Sequence, residues 1–328
     1  MKISRIIAYV VLLAFIFSLP TIVRGNGYYI HVLILCVVNV ILASSLRAIT
    51  TTGQISLGHA GFMSVGAYTC AILVMKLGVS AYAGMILGGL VAALLAIIIA
   101  FPVTRVKTLY LAMLTLFLGV FISLGLTEFR SVTGGTSGII GIPALNKISI
   151  LGINIDFATR AANFYFISIV MLIVLVFLYS LDQSYVGKTF KAIAQDEALA
   201  SSTGINVTKY KVAIFCIGCF IAGVAGGFDA HYLTVITPDS FGIFPSIYII
   251  IYVIVGGPNR FAGAIIGAVV LTIVPEAFRA FKEYQPLFFV AVLYLVVFLL
   301  PGGLVTIPQY LRFSLRNIFK GRAAHAGD

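Results

Sequence analysis

Residues 82–101 read YAGMILGGLVAALLAIIIAF, an apolar run from Tyr82 to Phe101 that no charged side chain interrupts. At about 1.5 Å of rise per residue it makes a helix about 30 Å long, which is the thickness of the hydrocarbon core of a bilayer. The reading extends outward in both directions. Tyr28–Leu46, Leu109–Leu126, Phe164–Leu181 and Val212–Leu233 are comparable runs, while Ile6–Val23 opens the apolar region and Leu287–Leu300 closes it. With 61% hydrophobic and 9% charged residues and a mean hydropathy of +1.13, the chain has more apolar surface than one compact core can hide. A soluble fold is excluded. The predicted class is all-α, a polytopic transmembrane helical bundle of about ten spans, some of them broken or short.

Two regions depart from this pattern. Gly53–Met75 is flanked like a span yet carries Gln54, Ser56, His59 and Ser64, and it is predicted to be a polar, broken membrane segment. From Tyr248 to Ile273 the apolar character is interrupted by Gly256-Gly257-Pro258-Asn259-Arg260, a turn signal that divides the region into two short spans. The resulting order places 14 of the 21 basic residues inside, among them Lys2, Arg5, Arg47, Arg105, Lys107, Lys188, Lys191, Lys209, Lys211, Arg260 and the tail residues Arg312, Arg316, Lys320 and Arg322. Arg24, Lys76, Arg130, Lys147, Arg160, Arg279 and Lys282 fall outside. Both termini are therefore expected in the cytoplasm of a bacterial inner-membrane protein. The expected organisation is a membrane domain over 1–305, with an outer loop at 127–163 and a cytoplasmic loop at 182–211, followed by a basic cytoplasmic tail at 306–328. Lys2 and Arg5 ahead of an apolar run look like a signal sequence, but no small-x-small site follows, so an uncleaved first span is expected.

Several function classes are excluded. The net charge of +11 is scattered in ones and twos between apolar runs, which is no nucleic-acid surface. Cys36, Cys70, Cys216 and Cys219 all sit in apolar stretches, and the C-x-x-C of Cys216 and Cys219 has no second ligand pair, so packing and not metal binding is expected. No paired carboxylates, Ser/His/Asp constellation or H-E-x-x-H helix points to an enzyme, and no cofactor is implied. Asp229 and His231, near a span end, are read as polar anchors of that end in preference to the proton relay of a secondary transporter.

Between two confident spans, residues 187–205 read GKTFKAIAQDEALASSTGI. Asp196 and Glu197 stand where a helix N-terminus favours negative charge, the residues from Ala198 to Ser202 are mostly small, and Gly204 is placed for a left-handed cap. Residues alone leave two readings open, a solvated interfacial helix and a surface that a partner approaches closely. The run Asp196-Glu197-Ala198, with Leu199, Ala200 and then Gly204-Ile205, resembles the Glu-Ala-Ala loop of ABC importer permeases. That resemblance implies a coupling helix seated on a separate ATPase subunit.

Three further stretches resemble the branched-chain amino acid permease family of ABC importers, nearer to the larger of its two permease types. They are Thr52-Gly53-Gln54-Ile55-Ser56-Leu57-Gly58-His59-Ala60-Gly61-Phe62-Met63-Ser64-Val65-Gly66-Ala67-Tyr68, the Gly-rich Thr133–Gly138 with Gly141-Ile142-Pro143, and Gly256-Gly257 through Gly263 and Gly267 to Pro275-Glu276. The resemblance implies a non-catalytic permease subunit working with ABC ATPase subunits, a second permease, a periplasmic solute-binding protein docking on the outer loop, an amino acid substrate and membrane lipid. The Gly-rich outer stretch lacks G-x-x-x-x-G-K and is no phosphate cradle, so energy is expected from another subunit. Two rivals remain: a permease of the same superfamily for another small solute (urea, an amide, a nucleoside or a sugar), and an ion-coupled carrier working alone.

Polar side chains inside lipid are costly unless they line water or pair across helices. Gln54, Ser56, His59 and Ser64 are thus candidates for a translocation path, with interhelical hydrogen bonding as the alternative. Helical spacing is expected to put Ser56, His59 and Met63 on one face. The pairs Gly84/Gly88, Gly223/Gly227 and Gly263/Gly267 have the four-residue spacing that lets membrane helices approach closely.

Overall fold

The computed structural model describes residues 17–23, 26–103, 108–145, 148–150, 153–155, 159–278, 285–299 and 302–306. Lys2, Arg5, the first span before residue 17, Arg24, Arg105, Lys107, Lys147, Arg279, Lys282 and residues 307–328 of the basic tail lie outside the described residues. Residues 17–22 are helical. The elements that follow are α1 (Gly27–Thr50), α2 (His59–Leu77), α3 (Ala81–Val103), α4 (Thr108–Glu128), α5 (Arg130–Thr133) and α6 (Arg160–Gln183). Two short helices, α7 (Tyr185–Gln195) and α8 (Glu197–Ser202), precede α9 (Val207–Leu233). The chain ends with α10 (Ile243–Gly256), α11 (Phe261–Ala277) and α12 (Gln285–Leu299). Among the described residues, strands are confined to two small ladders, β1 (Ile139–Ile140) against β4 (Val235–Ile236) and β2 (Ile148–Ile150) against β3 (Ile153–Ile155).

Among the described residues, seven helical stretches are long and apolar enough to cross a membrane, and Phe261–Ala277 is a shorter apolar helix. The protein is thus an all-α, multi-pass membrane bundle. The two departures seen in the sequence behave differently. Gly257, with φ +105°, and Pro258 divide α10 from α11 as expected. The segment expected from Gly53 to Met75 is helical only from His59, because residues 51–58 leave the helix at Thr51 and turn through Gly53 at φ +78°. Ser56 therefore precedes the helix and does not share a helical face with His59 and Met63.

The bundle is built around α9, which packs on α1, α2 and α3. Backbone contact explains the glycines. A Cβ on Gly66 of α2 would lie 2.1 Å from the carbonyl oxygen of Gly223, and one on Gly88 of α3 would lie 2.5 Å from that of Gly66. Such approach trades side chains for helix-to-helix dispersion, the main adhesive between helices already in lipid. Buried Ala92, Ala96 and Ala100 extend the small surface of α3, whereas Leu90, Leu94, Ile97 and Phe101 on the same helix are exposed and read as lipid-facing. Aromatic side chains fill the wider gaps, as where Phe62 meets Phe215 edge-on with centroids 5.5 Å apart.

Candidate functional site

The polar break is made by residues that end one helix and begin the next. Thr50, Thr51 and Thr52 each turn a hydroxyl back to a carbonyl three residues earlier, which finishes α1. Gly58 then starts α2 without a side-chain cap, packed so closely that a Cβ would lie 2.1 Å from the carbonyl oxygen of Thr115 on α4. Neighbouring helices supply the hydrogen bonds that this irregular backbone lacks: Leu57 N donates to Thr115 Oγ1 at 3.0 Å and Ala60 N to Ser246 Oγ at 3.1 Å.

The structure brings Gln54, Ser56 and His59 to this break, all at most 1% exposed. His59 Nε2 is 2.8 Å from Ser45 Oγ on α1. Gln54 Oε1 accepts from Thr52. Gln54 Nε2, Ser56 Oγ and His59 Nδ1 have no hydrogen-bond partner among the described residues. Each such buried group costs about 1–3 kcal/mol, so three at one break is a concentration that packing alone does not favour. Ser64 is set apart: it lies further along α2, and its hydroxyl donates to Gly61 O at 2.6 Å.

The second region is the pair α7 and α8. Phe190 and Ile193 bury one side of α7. Asp196 ends α7 and caps α8, its Oδ1 accepting from Ala198 N at 2.8 Å and Leu199 N at 3.0 Å. Gly204, at φ +85°, closes α8: its N–H donates to Ser201 O, and the N–H of Ile205 to Ala200 O, as a Schellman cap requires. Asp196, Glu197, Ala198 and Leu199 are exposed, Leu199 to 65%, while Ala200 is buried against the bundle. The segment 187–205 holds a second helix, α7, ahead of the one expected to start at Asp196, and the two are separate because the cap at Asp196 needs extended backbone.

Two charged residues escaped the sequence reading. Lys211, counted among the inside charges, is 4% exposed and pairs with Glu197. Arg47, counted among the inside charges, is 3% exposed and paired with Asp182. The available signal was position: both basic residues are followed at once by apolar ones, Ala48-Ile49 and Val212-Ala213, which places them within a helix and not beyond it. The break also touches this region, since a Cβ on Gly53 would lie 3.4 Å from Cα of Ala194 on α7.

At the opposite end, the Gly-rich loop is fastened to the end of α9. Gly134, Gly135, Gly138 and Gly141 all have positive φ. A Cβ on Gly138 would lie 1.9 Å from Ile236 O, so the β1–β4 ladder depends on its absence. Gly141 and Ile142 donate their N–H groups to Thr234 O. His231 has Nδ1 2.7 Å from Pro143 O and Nε2 3.3 Å from Cys70 Sγ, so both ring nitrogens serve as anchors.

Comparison with known proteins gives the family. The model of the branched-chain amino acid transport system permease component family matches residues 28–301, which includes the break, α7, α8 and the α10–α11 turn. The chain belongs to that family. The permease is 28% identical over 307 residues to the high-affinity branched-chain amino acid transport system permease protein LivM of Salmonella typhimurium, covering 87% of this chain and 72% of the relative. It is 24% identical to the LivH permease protein of the same organism, over 78% of this chain and 87% of LivH. It is also 24% identical to the ribose import permease protein RbsC of Escherichia coli, over 83% and 84%. No solved structure matches the permease.

Proposed function

We propose that this permease is the membrane subunit of an ABC importer that carries branched-chain amino acids across the bacterial inner membrane, using ATP hydrolysed by separate subunits. The observation that carries the reading is α8: a helix of small residues, capped at both ends, exposed on one side and held on the other by the Glu197–Lys211 pair. Asp196, Glu197, Ala198, Leu199, Gly204 and Ile205 form the surface that an ATPase subunit meets, which puts the Asp182–Lys211 end in the cytoplasm, while Ala200, expected on that surface, is turned into the bundle and supports it from beneath. Gln54, Ser56 and His59 border the solute path, where hydration or a second permease of the same family would supply their missing hydrogen bonds. Ser64, with its hydroxyl satisfied, lines the path less directly. The Gly-rich end faces the periplasm and receives a solute-binding protein. The similarity to LivM supports the amino acid as solute.

The similarity to RbsC favours a second reading, in which the same machinery passes another small polar solute such as a sugar. Purification of the tagged permease from its native membrane, followed by reconstitution with the co-purifying ATPase and binding protein, tests both. Leucine uptake that needs ATP supports the first reading, and ribose uptake without leucine uptake supports the second. Uptake by the permease alone, driven by an ion gradient, overturns both.

A further inference from the structure

The last turns of α1 carry a guanidinium that neither the path nor the coupling surface uses. At 3% exposure, Arg47 is held in the bundle by partners that take the place of water. Those partners come from separate elements. Nη2 lies 3.7 Å from Oδ1 of Asp182 at the end of α6, and Nε donates to Pro258 O at 3.2 Å in the turn between α10 and α11. Its central carbon stands 5.3 Å from the ring centroid of Phe261, the first residue of α11. Asp182 in turn pairs with Lys191 Nζ of α7 at 3.1 Å, and Phe261 meets Tyr179 of α6 edge-on at 5.3 Å.

We propose that Arg47 is a positioning residue that ties the α7–α8 segment to the α10–α11 hairpin, so that a displacement of α8 by the ATPase moves the hairpin and the end of α1 as one body. This rests on the reading of α8 as the ATPase contact. The hairpin is able to transmit such a displacement because it has little slack. A Cβ on Gly263 would lie 2.0 Å from Gly257 O, and one on Gly267 would lie 2.0 Å from Tyr252 O, so α10 and α11 touch backbone to backbone. Arginine suits the place, since its planar fork serves a carboxylate, a carbonyl and an aromatic face at once, whereas the point charge of lysine cannot.

The test uses the full chain in its complex with ATPase, second permease and binding protein in proteoliposomes, with ATP hydrolysis measured beside uptake of leucine or ribose, whichever the wild-type complex accumulates. Arg47→Met is expected to hydrolyse ATP while moving about fivefold less solute per ATP or lower still, with Arg47→Lys intermediate. Phe261→Leu, which leaves the charge pair in place, is expected to shift the same ratio in the same direction by less. An unchanged ratio in Arg47→Met, or uptake that falls only in step with the amount of complex assembled, overturns the proposal. Should Arg47→Met fail to assemble, the Phe261→Leu ratio decides, and a wild-type value there overturns it. A wild-type complex with no ATP-dependent uptake would overturn the coupling reading itself.

Discussion

Lys211 is buried on α9 and is ion-paired to Glu197, whose own side chain is 55% exposed on α8. The two ends of this pair are unequal. Removing Lys211 frees a carboxylate that water can already reach, but removing Glu197 strands an ammonium that is 5% exposed. Glu197→Ala is therefore expected to cost about 1–3 kcal/mol, against under about 1 kcal/mol for Lys211→Met, which puts an apolar chain of similar length in an apolar place. Thermal melts of the purified permease check the order, and equal or reversed losses would show that Lys211 reaches water by another route.

This pair marks how far the sequence could be read. The helical runs were legible because lipid demands long apolar segments, and the α10–α11 division was legible because the run Gly256-Gly257-Pro258-Asn259 favours a turn over a continued helix. Asp196 and Gly204 were legible as caps because capping is local chemistry. What escaped were relations between distant segments: Glu197 with Lys211, His59 with Ser45, Arg47 with Asp182 and Pro258. A basic residue at the end of an apolar run looks the same whether it snorkels to the surface or is held in the bundle. Ser56 was misplaced for a related reason, since Thr51–Gly58 has the polarity of a lined span and only the turn at Gly53 takes it off the helix.

The α2–α9 contact predicts a sharp contrast between two glycines. A Cβ on Gly66 would meet the Gly223 backbone at 2.1 Å, whereas one on Gly125 of α4 would meet nothing within 4 Å. Gly66→Ala should separate the helices and cost about 1–3 kcal/mol, lowering both melting temperature and yield. Gly125→Ala should be neutral or slightly stabilising, since alanine is the better helix former. Similar melting temperatures for the two variants would count against the close contact.

Gly204 offers a test of α8 through its C-terminal cap. Its φ of +85° suits glycine and is costly for a β-branched residue, while its surroundings are open, with nothing within 4 Å of an added Cβ. Gly204→Val should cost about 1–2 kcal/mol, felt locally as loss of the Schellman cap, and Gly204→Asn should retain most of it. Because the strain is confined to α8, the melting temperature should move little while capture of the ATPase subunit falls. Undiminished capture by Gly204→Val would mean that the partner does not read the shape of this helix.

His59 and Ser45 separate a path residue from a packing residue. Their side chains are bonded at 2.8 Å, so if that bond were the whole role of His59, Ser45→Ala and His59→Leu would do the same thing. Ser45 has a second tie, its hydroxyl donating to Leu42 O at 2.9 Å, and its loss leaves a small void inside α1. His59 Nδ1, like Gln54 Nε2 and Ser56 Oγ of the same break, has no partner among the described residues. If these groups meet solute or its water, His59→Leu removes an interaction outside the chain as well as the one inside it. Reconstituted His59→Leu should then lose about tenfold in uptake at normal assembly, the scale of one buried hydrogen bond to a passing polar solute, while Ser45→Ala loses less than about threefold. Matching losses in the two variants, in uptake and in assembly alike, would assign His59 to the packing of α1 against α2 and leave the path to Gln54 and Ser56.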